Sequence, residues 1–491
     1  MLFNSAVFAL FLTATLSIWL VLRFLLIKYT QKLVFNRWLI GLILVIYLLV
    51  ISAIFYGFWN PVYFLLLFWV ALVDYSLARL LGAVISVPWR RFILAISLGN
   101  SLGILAFYKY GHFIAENWAI ILNFPPPSPD FWAHWLLPVG ISFYTFQSIS
   151  YLVDVYRREL QPERKFFSYL LFLSFFPQLV AGPIVSAKSF LPQIRRPLSF
   201  LRTPVLFAVF LILLGLFKKM VLADHLSETS DFSFLRPAEV TTKALWIGMF
   251  SYSLQIYCDF SGYTDIAQGT ALLFGFRLPE NFKMPYLADG FSEFWNRWHI
   301  SLSQWLKKYI YISLGGNRVG KLLTYRNLFL VMAIGGLWHG ASWNFVIWGS
   351  CHGILLILER GTKGNRFGSF SFLRPLRILG TFLVVSFLWV FFRSVDFTNS
   401  LCYLQGLFVK KEGISLPYSM EMNFLYCLLV IVIGHILGIL YFKDNKQLLV
   451  AFEKWQNSLG KTAFFGIFAS IVMILIVLFS ADSKPFVYFV F

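Results

Sequence analysis

Apolar positions come in long uninterrupted runs, near the length of about 20 residues that carries a helix across a bilayer. They lie at residues 6–24, 38–57, 60–81, 92–108, 137–156, 166–185, 203–217, 242–276, 325–358, 375–393, 420–442 and 463–481. The pattern predicts an all-α polytopic membrane protein with about 11–13 transmembrane and re-entrant helices. Between Asp289 and Leu314 the pattern changes: Trp295, Trp298, Leu302 and Trp305 fall at i, i+3, i+7 and i+10, the stripe of an amphipathic helix. His299 follows Trp295 by four and falls on or beside that buried face, while Arg297, Gln304, Lys307 and Lys308 reach solvent or headgroups. A third stripe, Tyr252, Gln255, Asp259 and Gly262, carries Asp265 and Gln268 close to the same face. A buried lone carboxylate takes up a proton or fails to insert, so Asp259 and Asp265 predict partners, and a structural polar network is expected of them over direct catalysis.

Punctuation is local. Two prolines and a glycine interrupt the hydrophobic run Phe176–Pro183, which predicts a re-entrant turn lining the site or a simple proline kink. Pro125–Pro127 with Pro129 predict an exposed, extended loop. With no Gly/Ser block, low-complexity tract or clear repeat, residues 1–491 read as a single integral membrane domain, densest in motifs at about 250–355.

Composition agrees: 59% of the residues are hydrophobic, 13% are charged and the mean hydropathy is +0.73, too little charge for a soluble domain of 491 residues. The first apolar run follows Met-Leu-Phe-Asn-Ser without a preceding basic residue, which predicts a retained helix and not a cleaved signal peptide. The 41 Lys and Arg outnumber the 22 Asp and Glu and cluster at 23–37, 79–91, 157–165, 188–219, 277–326 and 360–377. Clusters between spans point to cytoplasmic loops, or to attraction of an anionic donor or anionic lipid, and argue against nucleic acid as a partner. Alternating the spans places the amino terminus outside and the stretch 277–326 at the cytoplasmic side. Cys258, Cys351, Cys402 and Cys427 lie in apolar stretches without Cys-x-x-Cys spacing and read as small buried hydrophobes.

The candidate chemistry lies with two histidines, each preceded by tryptophan: His299 in the segment 295–305 and His339 in the segment 335–343. An ionisable side chain at membrane depth costs about 2.5–3.5 kcal/mol and marks a candidate site. A helical side chain leans over i−3 and i−4, which for His339 are Gly336 and Gly335, so space is expected around the imidazole. Ala333, Gly336 and Gly340 have the spacing of a tight helix contact, but with a histidine at this point a passage by which a substrate reaches His339 is expected. The histidines lie forty positions apart, with neither Cys nor His at i+3 or i+4 of either, so no metal site is expected. Without a Gly-x-Ser-x-Gly elbow, histidine as general base to a substrate hydroxyl is the natural role.

The segment Phe294–Ser303, followed by Gly336-Leu-Trp-His-Gly340, resembles the signature of the membrane-bound O-acyltransferase family. The opening Met1–Ser5, Leu137–Phe146, Phe176–Val185 and Asp259–Asp265 are similar to its bacterial branch. Tyr311–Arg318 is similar to the alginate-acetylating type more than to the teichoic-acid D-alanylating type. Lys307-Lys308-Tyr309 replaces the usual Arg-Asp-Tyr, and Ser313 stands where proline is usual. The resemblance implies a helix bundle around a central funnel, with His339 as the catalytic histidine and His299 at the second, more variable position. Gly335, Gly336, Asp259, Trp298 and Ser301 are expected to line the tunnel, and the basic residues Arg318, Lys307 and Lys308 to bind an anionic donor; by the resemblance, Trp338 and Asn317 would be close by, and His299, with Asn317 or a backbone N–H, would polarise a thioester carbonyl. It further implies an acyl thioester donor such as acetyl-CoA, no permanently bound cofactor, and a polysaccharide acceptor such as alginate outside a bacterial inner membrane. Periplasmic or membrane-anchored acetyltransferase partner proteins are expected. The alternatives are D-alanyl or peptidoglycan acyl transfer within the family, or a transporter or scaffold of an exopolysaccharide complex; paired half-repeats, which a transporter would show, are not evident.

Overall fold

The computed structural model describes residues 1–32, 37–125, 128, 131–132, 135–180, 182–195, 204–362, 371–441, 450, 452, 454, 458–479 and 484–487. Most of the proline stretch 125–129, and parts of the basic groups 23–37, 188–219 and 360–377, lie outside the described residues. Among the described residues the regular structure is helical, with an isolated parallel bridge between Val240 and Ile414. Among the described residues, eight helices are long and apolar enough to cross a membrane: Ala6–Leu25, Leu39–Gly57, Pro61–Ala83, Val87–Leu122, Val205–Phe234, Arg374–Arg393, Tyr418–Ile439 and Gly460–Val477. The chain is a multi-pass membrane protein.

The other apolar runs fold differently. The run 137–156 gives the 16-residue helix Ile141–Tyr156, and 242–276 gives the 32-residue helix Thr242–Leu273, whose polar stripe lowers its hydropathy. The run 325–358 splits into Lys321–His339 and Trp343–Thr362, because the backbone at Gly340 turns extended, with φ −164° and ψ 157°. The run 166–185 breaks after the helix Phe166–Ser174 and restarts as the single turn Phe176–Leu179, with Pro177 in its first turn.

The chain forms two compact units, residues 1–208 with 267–279 and residues 209–266 with 280–491. In the first unit, Asn60 caps the helix Pro61–Ala83 by accepting the Val62 N–H at 2.9 Å. The buried carboxylate of Asp74 accepts from Ser101 at 3.0 Å and from Ser148. The Arg90 guanidinium donates to the carbonyls of Leu81 (2.5 Å) and Tyr156 (2.6 Å), closing helix ends that would otherwise leave orphan acceptors. At the 176–183 break, Gln178 donates to the Phe172 carbonyl at 2.7 Å. Gly140, at φ +77°, lies where a Cβ would sit 2.2 Å from the Leu179 carbonyl oxygen, so glycine is required there.

In the second unit, the acids of the 252–265 stripe acquire cations. Lys219 lies 2.8 Å from both Asp259 and Asp224, and Lys218 lies 2.6 Å from Asp265. The Val487 N–H donates to Asp259 at 2.7 Å, and Asp231 pairs with Arg393 (2.6 Å) and Lys484 (3.1 Å). The helices Lys321–His339 and Trp343–Thr362 form an antiparallel hairpin that closes on Gly336 and Gly349, backbone to backbone.

Candidate functional site

Both histidines lie in the second unit. The amphipathic helix expected over 289–314 is interrupted: one helix spans Phe291–Arg297, a second spans Ile300–Leu306 and passes into the π-helical turn Lys307–Tyr311. Trp298 is extended, and His299 takes left-handed backbone angles, φ +41° and ψ 55°. The physical reason is competition for backbone groups. The Lys283 N–H donates to the Arg297 carbonyl at 2.9 Å and the Ile300 N–H donates to the Asn281 carbonyl at 3.0 Å, so segment 281–283 satisfies groups that a continuous helix would have used. The stripe itself is buried as its spacing predicts, at Trp295, Trp298, Leu302 and Trp305. Trp298 stacks on Phe294 (ring centroids 5.6 Å) and packs against Phe282 (5.1 Å) and Trp389 (5.0 Å).

His299 is fully buried. Its Nδ1 lies 3.3 Å from the side-chain oxygen of Asn281, which also accepts from the Ser301 N–H (3.2 Å) and the Ser301 hydroxyl (2.8 Å). Nε2 has no hydrogen-bond partner among the described residues. The edge of Phe260 closes on the ring at 4.7 Å. His299 lies outside the eight apolar spans, and burial pushes its imidazole down to about 3 from the ordinary 6.5, so the ring is neutral.

His339 ends the helix Lys321–His339 and is buried among Trp338 (5.0 Å), Phe392 (5.1 Å) and Trp348 (5.2 Å). Its ring centroid is 6.4 Å from that of His299, and Trp338 lies 5.9 Å from His299. The open space expected over Gly335 and Gly336 is filled. A Cβ on Gly336 would lie 2.2 Å from the Phe345 carbonyl oxygen and 3.0 Å from Gly349 Cα, and one on Gly335 would lie 3.0 Å from Leu306 Cδ1. Gly336 therefore serves the tight helix contact. Gly340 is equally constrained, since a Cβ there would lie 2.1 Å from the Phe345 ring.

The remaining expected site residues separate into buried and exposed groups. Trp298, Trp338 and Ser301 are buried with the histidines, and Asp259 is buried but committed to Lys219 and the Val487 N–H. Asn317 does not join the buried cluster: Asn327 donates to the Leu314 (3.0 Å) and Gly316 (3.1 Å) carbonyls, Gly315 and Gly316 turn at positive φ, and Asn317 and Arg318 are left exposed. Lys307 is also exposed, and Lys308 lies over the Tyr309 ring at 4.9 Å.

Three residues beside this cluster escaped the sequence reading. Asn281 sits outside any stripe, eighteen positions before His299. His352, fully buried, faces Trp348 (4.9 Å) and Trp295 (5.0 Å) and reads from sequence as one more polar position in an apolar run. Lys219 is one of a basic group, and nothing local marks it as the counter-ion of Asp259. Among the described residues, no three His, Cys, Asp or Glu side chains gather as metal ligands would.

The profile of the MBOAT, membrane-bound O-acyltransferase family, matches residues 157–401. Over 398 residues the chain is 39% identical to a peptidoglycan O-acetyltransferase of Helicobacter pylori, an alignment covering 76% of this chain and 75% of that protein. It is 41% identical over 357 residues to the probable alginate O-acetylase AlgI of Pseudomonas putida, covering 71% of each. Similarity to the teichoic acid D-alanyltransferase of Bacillus subtilis is lower, 27% over 256 residues, covering 50% of this chain and 64% of that protein.

Proposed function

Because the chain belongs to the membrane-bound O-acyltransferase family, we propose that this membrane O-acyltransferase moves an acetyl group from a cytoplasmic thioester, acetyl-CoA, to hydroxyls of an extracytoplasmic polysaccharide. His339 and His299 are the catalytic pair. The observation that carries the reading is their meeting: two buried rings, forty positions apart in sequence, stand 6.4 Å apart, close enough for one reacting group to touch both. His339 takes the proton of the acceptor hydroxyl as its oxygen attacks the thioester carbonyl carbon. The C–O bond forms, the C–S bond breaks, and the proton passes to the departing thiolate. Such base catalysis contributes typically about 10²–10⁴-fold when the imidazole is within hydrogen-bond reach. Trp298, Trp338 and Ser301 border the reacting group, and Lys307, Lys308 and Arg318 draw the anionic donor to the cytoplasmic side.

The acceptor is an alginate-type exopolysaccharide of a bacterium with this protein in its inner membrane, reached directly or through a partner acetyl carrier. A second reading, peptidoglycan as acceptor, is supported by the similarity to the H. pylori protein over 76% of the chain. Purified protein in lipid vesicles, given labelled acetyl-CoA and either oligosaccharide, tests both: saturable transfer to one of them is expected. His339→Ala is expected to abolish transfer while the protein stays inserted and monodisperse. Normal acetyl content on the polymer of a strain carrying only His339→Ala would refute the assignment.

A further inference from the structure

We infer that Asn281 is the positioning residue of this site: its side-chain oxygen holds His299 as the Nδ1–H tautomer, so that Nε2 enters acyl transfer as a bare lone pair that accepts a proton. The inference deepens, and rests on, the reading of His299 as one of the catalytic pair.

The argument starts from what each atom is able to do. The Ser301 backbone N–H, 3.2 Å from the Asn281 side chain, only donates, so the amide atom facing it is the oxygen. The Ser301 hydroxyl, at 2.8 Å, points at the same atom. An amide oxygen only accepts, so the His299 Nδ1 that lies 3.3 Å from it carries the hydrogen. In a neutral imidazole the other nitrogen is then unprotonated, and Nε2 is the atom left buried without a partner among the described residues. Asn281 is itself buried, and its own backbone carbonyl accepts the Ile300 N–H at 3.0 Å. One residue therefore secures three consecutive positions, 299 to 301, through the left-handed turn at His299 that few side chains adopt. A histidine held this way does not donate to a thioester carbonyl until it has first taken up a proton. That reverses the role expected for it from the sequence, where it polarises the carbonyl, and makes it a second acceptor beside His339.

The test reads the tautomer without requiring turnover. Protein labelled with the heavy nitrogen isotope at histidine is examined by solid-state NMR in lipid, the His299 signals being those missing from His299→Gln protein. A protonated Nδ1 and a bare Nε2 are expected in the wild type, and the Nε2–H form is expected to appear in Asn281→Ala. In the transfer assay, Asn281→Ala is expected to lose about ten-fold or more in kcat, with KM for acetyl-CoA held within about two-fold. Asn281→Asp, which keeps an acceptor oxygen, is expected to retain the Nδ1–H signature and recover most of that loss. A protonated Nε2 in the wild type, or wild-type kcat in Asn281→Ala, overturns the proposal. Should Asn281→Ala fail to assemble, the wild-type spectrum and Asn281→Asp decide it. The expected tautomer in a protein without transferase activity would instead overturn the acyl-transfer reading and leave the Asn281 contact standing.

Discussion

Gly336→Ala tests how closely the hairpin that carries His339 is packed. The added Cβ would lie 2.2 Å from the Phe345 carbonyl oxygen and 3.0 Å from Gly349 Cα. Carbon and carbonyl oxygen approach no closer than about 3.3 Å in ordinary packing, so the two helices must part by about 1 Å, and every atom in the way is backbone. Overpacking of this kind costs about 1–3 kcal/mol. His339 lies three residues on, and a misplacement of about 1 Å at a reacting group costs about 10²-fold in rate. Gly335→Ala is the internal control. Among the described residues its Cβ meets the Leu306 Cδ1 methyl at 3.0 Å, the tip of a side chain and not backbone. Replacing glycine by alanine also favours the helix by about 0.5–1 kcal/mol. Thermal unfolding in detergent and acetyl transfer in lipid should therefore separate two adjacent substitutions of identical chemistry, Gly336→Ala losing both stability and rate while Gly335→Ala stays near wild type. Wild-type behaviour of Gly336→Ala would refute the close-packed hairpin.

Lys219→Met leaves Asp224 and Asp259 without their shared cation and is expected to cost about 3–5 kcal/mol; an unchanged unfolding temperature would show that the acids are neutral without it. Because burial holds His299 neutral down to about 3, the unfolded chain binds the extra proton below the ordinary value of 6.5. The stability it contributes is therefore complete above about 6.5 and is lost as the pH falls toward about 3; the pH dependence of unfolding over that window should be steeper in the wild type than in His299→Gln, and equal slopes would contradict the buried neutral imidazole. An impermeant reagent should modify exposed Lys307 and Arg318 only after cells are opened, and acetyl-CoA should protect them; labelling from outside would invert the proposed topology.

Hydropathy along the chain is enough to establish a polytopic helical protein, because apolar length depends on local composition and bilayer thickness alone. The same holds for which faces are buried: Trp295, Trp298, Leu302 and Trp305 were legible from their spacing, as was the need of Asp259 and Asp265 for partners. Spacing does not report the path of the backbone. The break at His299 exists because Asn281 and Lys283, far back in the chain, take its hydrogen bonds, and the residue at the 340 turn is glycine because the Phe345 ring occupies the place of a side chain. The same limit explains Gly336, whose missing side chain reads equally as open space or as close approach until Phe345 and Gly349 are seen against it. Asn317, adjacent to the motif in sequence, is turned outward by glycines at 315 and 316, while Asn281 supplies the buried amide from a position no periodicity singles out. The histidines themselves were visible in the sequence as costly residues in apolar surroundings. Their juxtaposition, the tautomer of His299 and the identity of each counter-ion belong to the tertiary structure, because hydrogen bonds and ion pairs at about 3 Å are set by residues distant in sequence and leave no trace in local pattern.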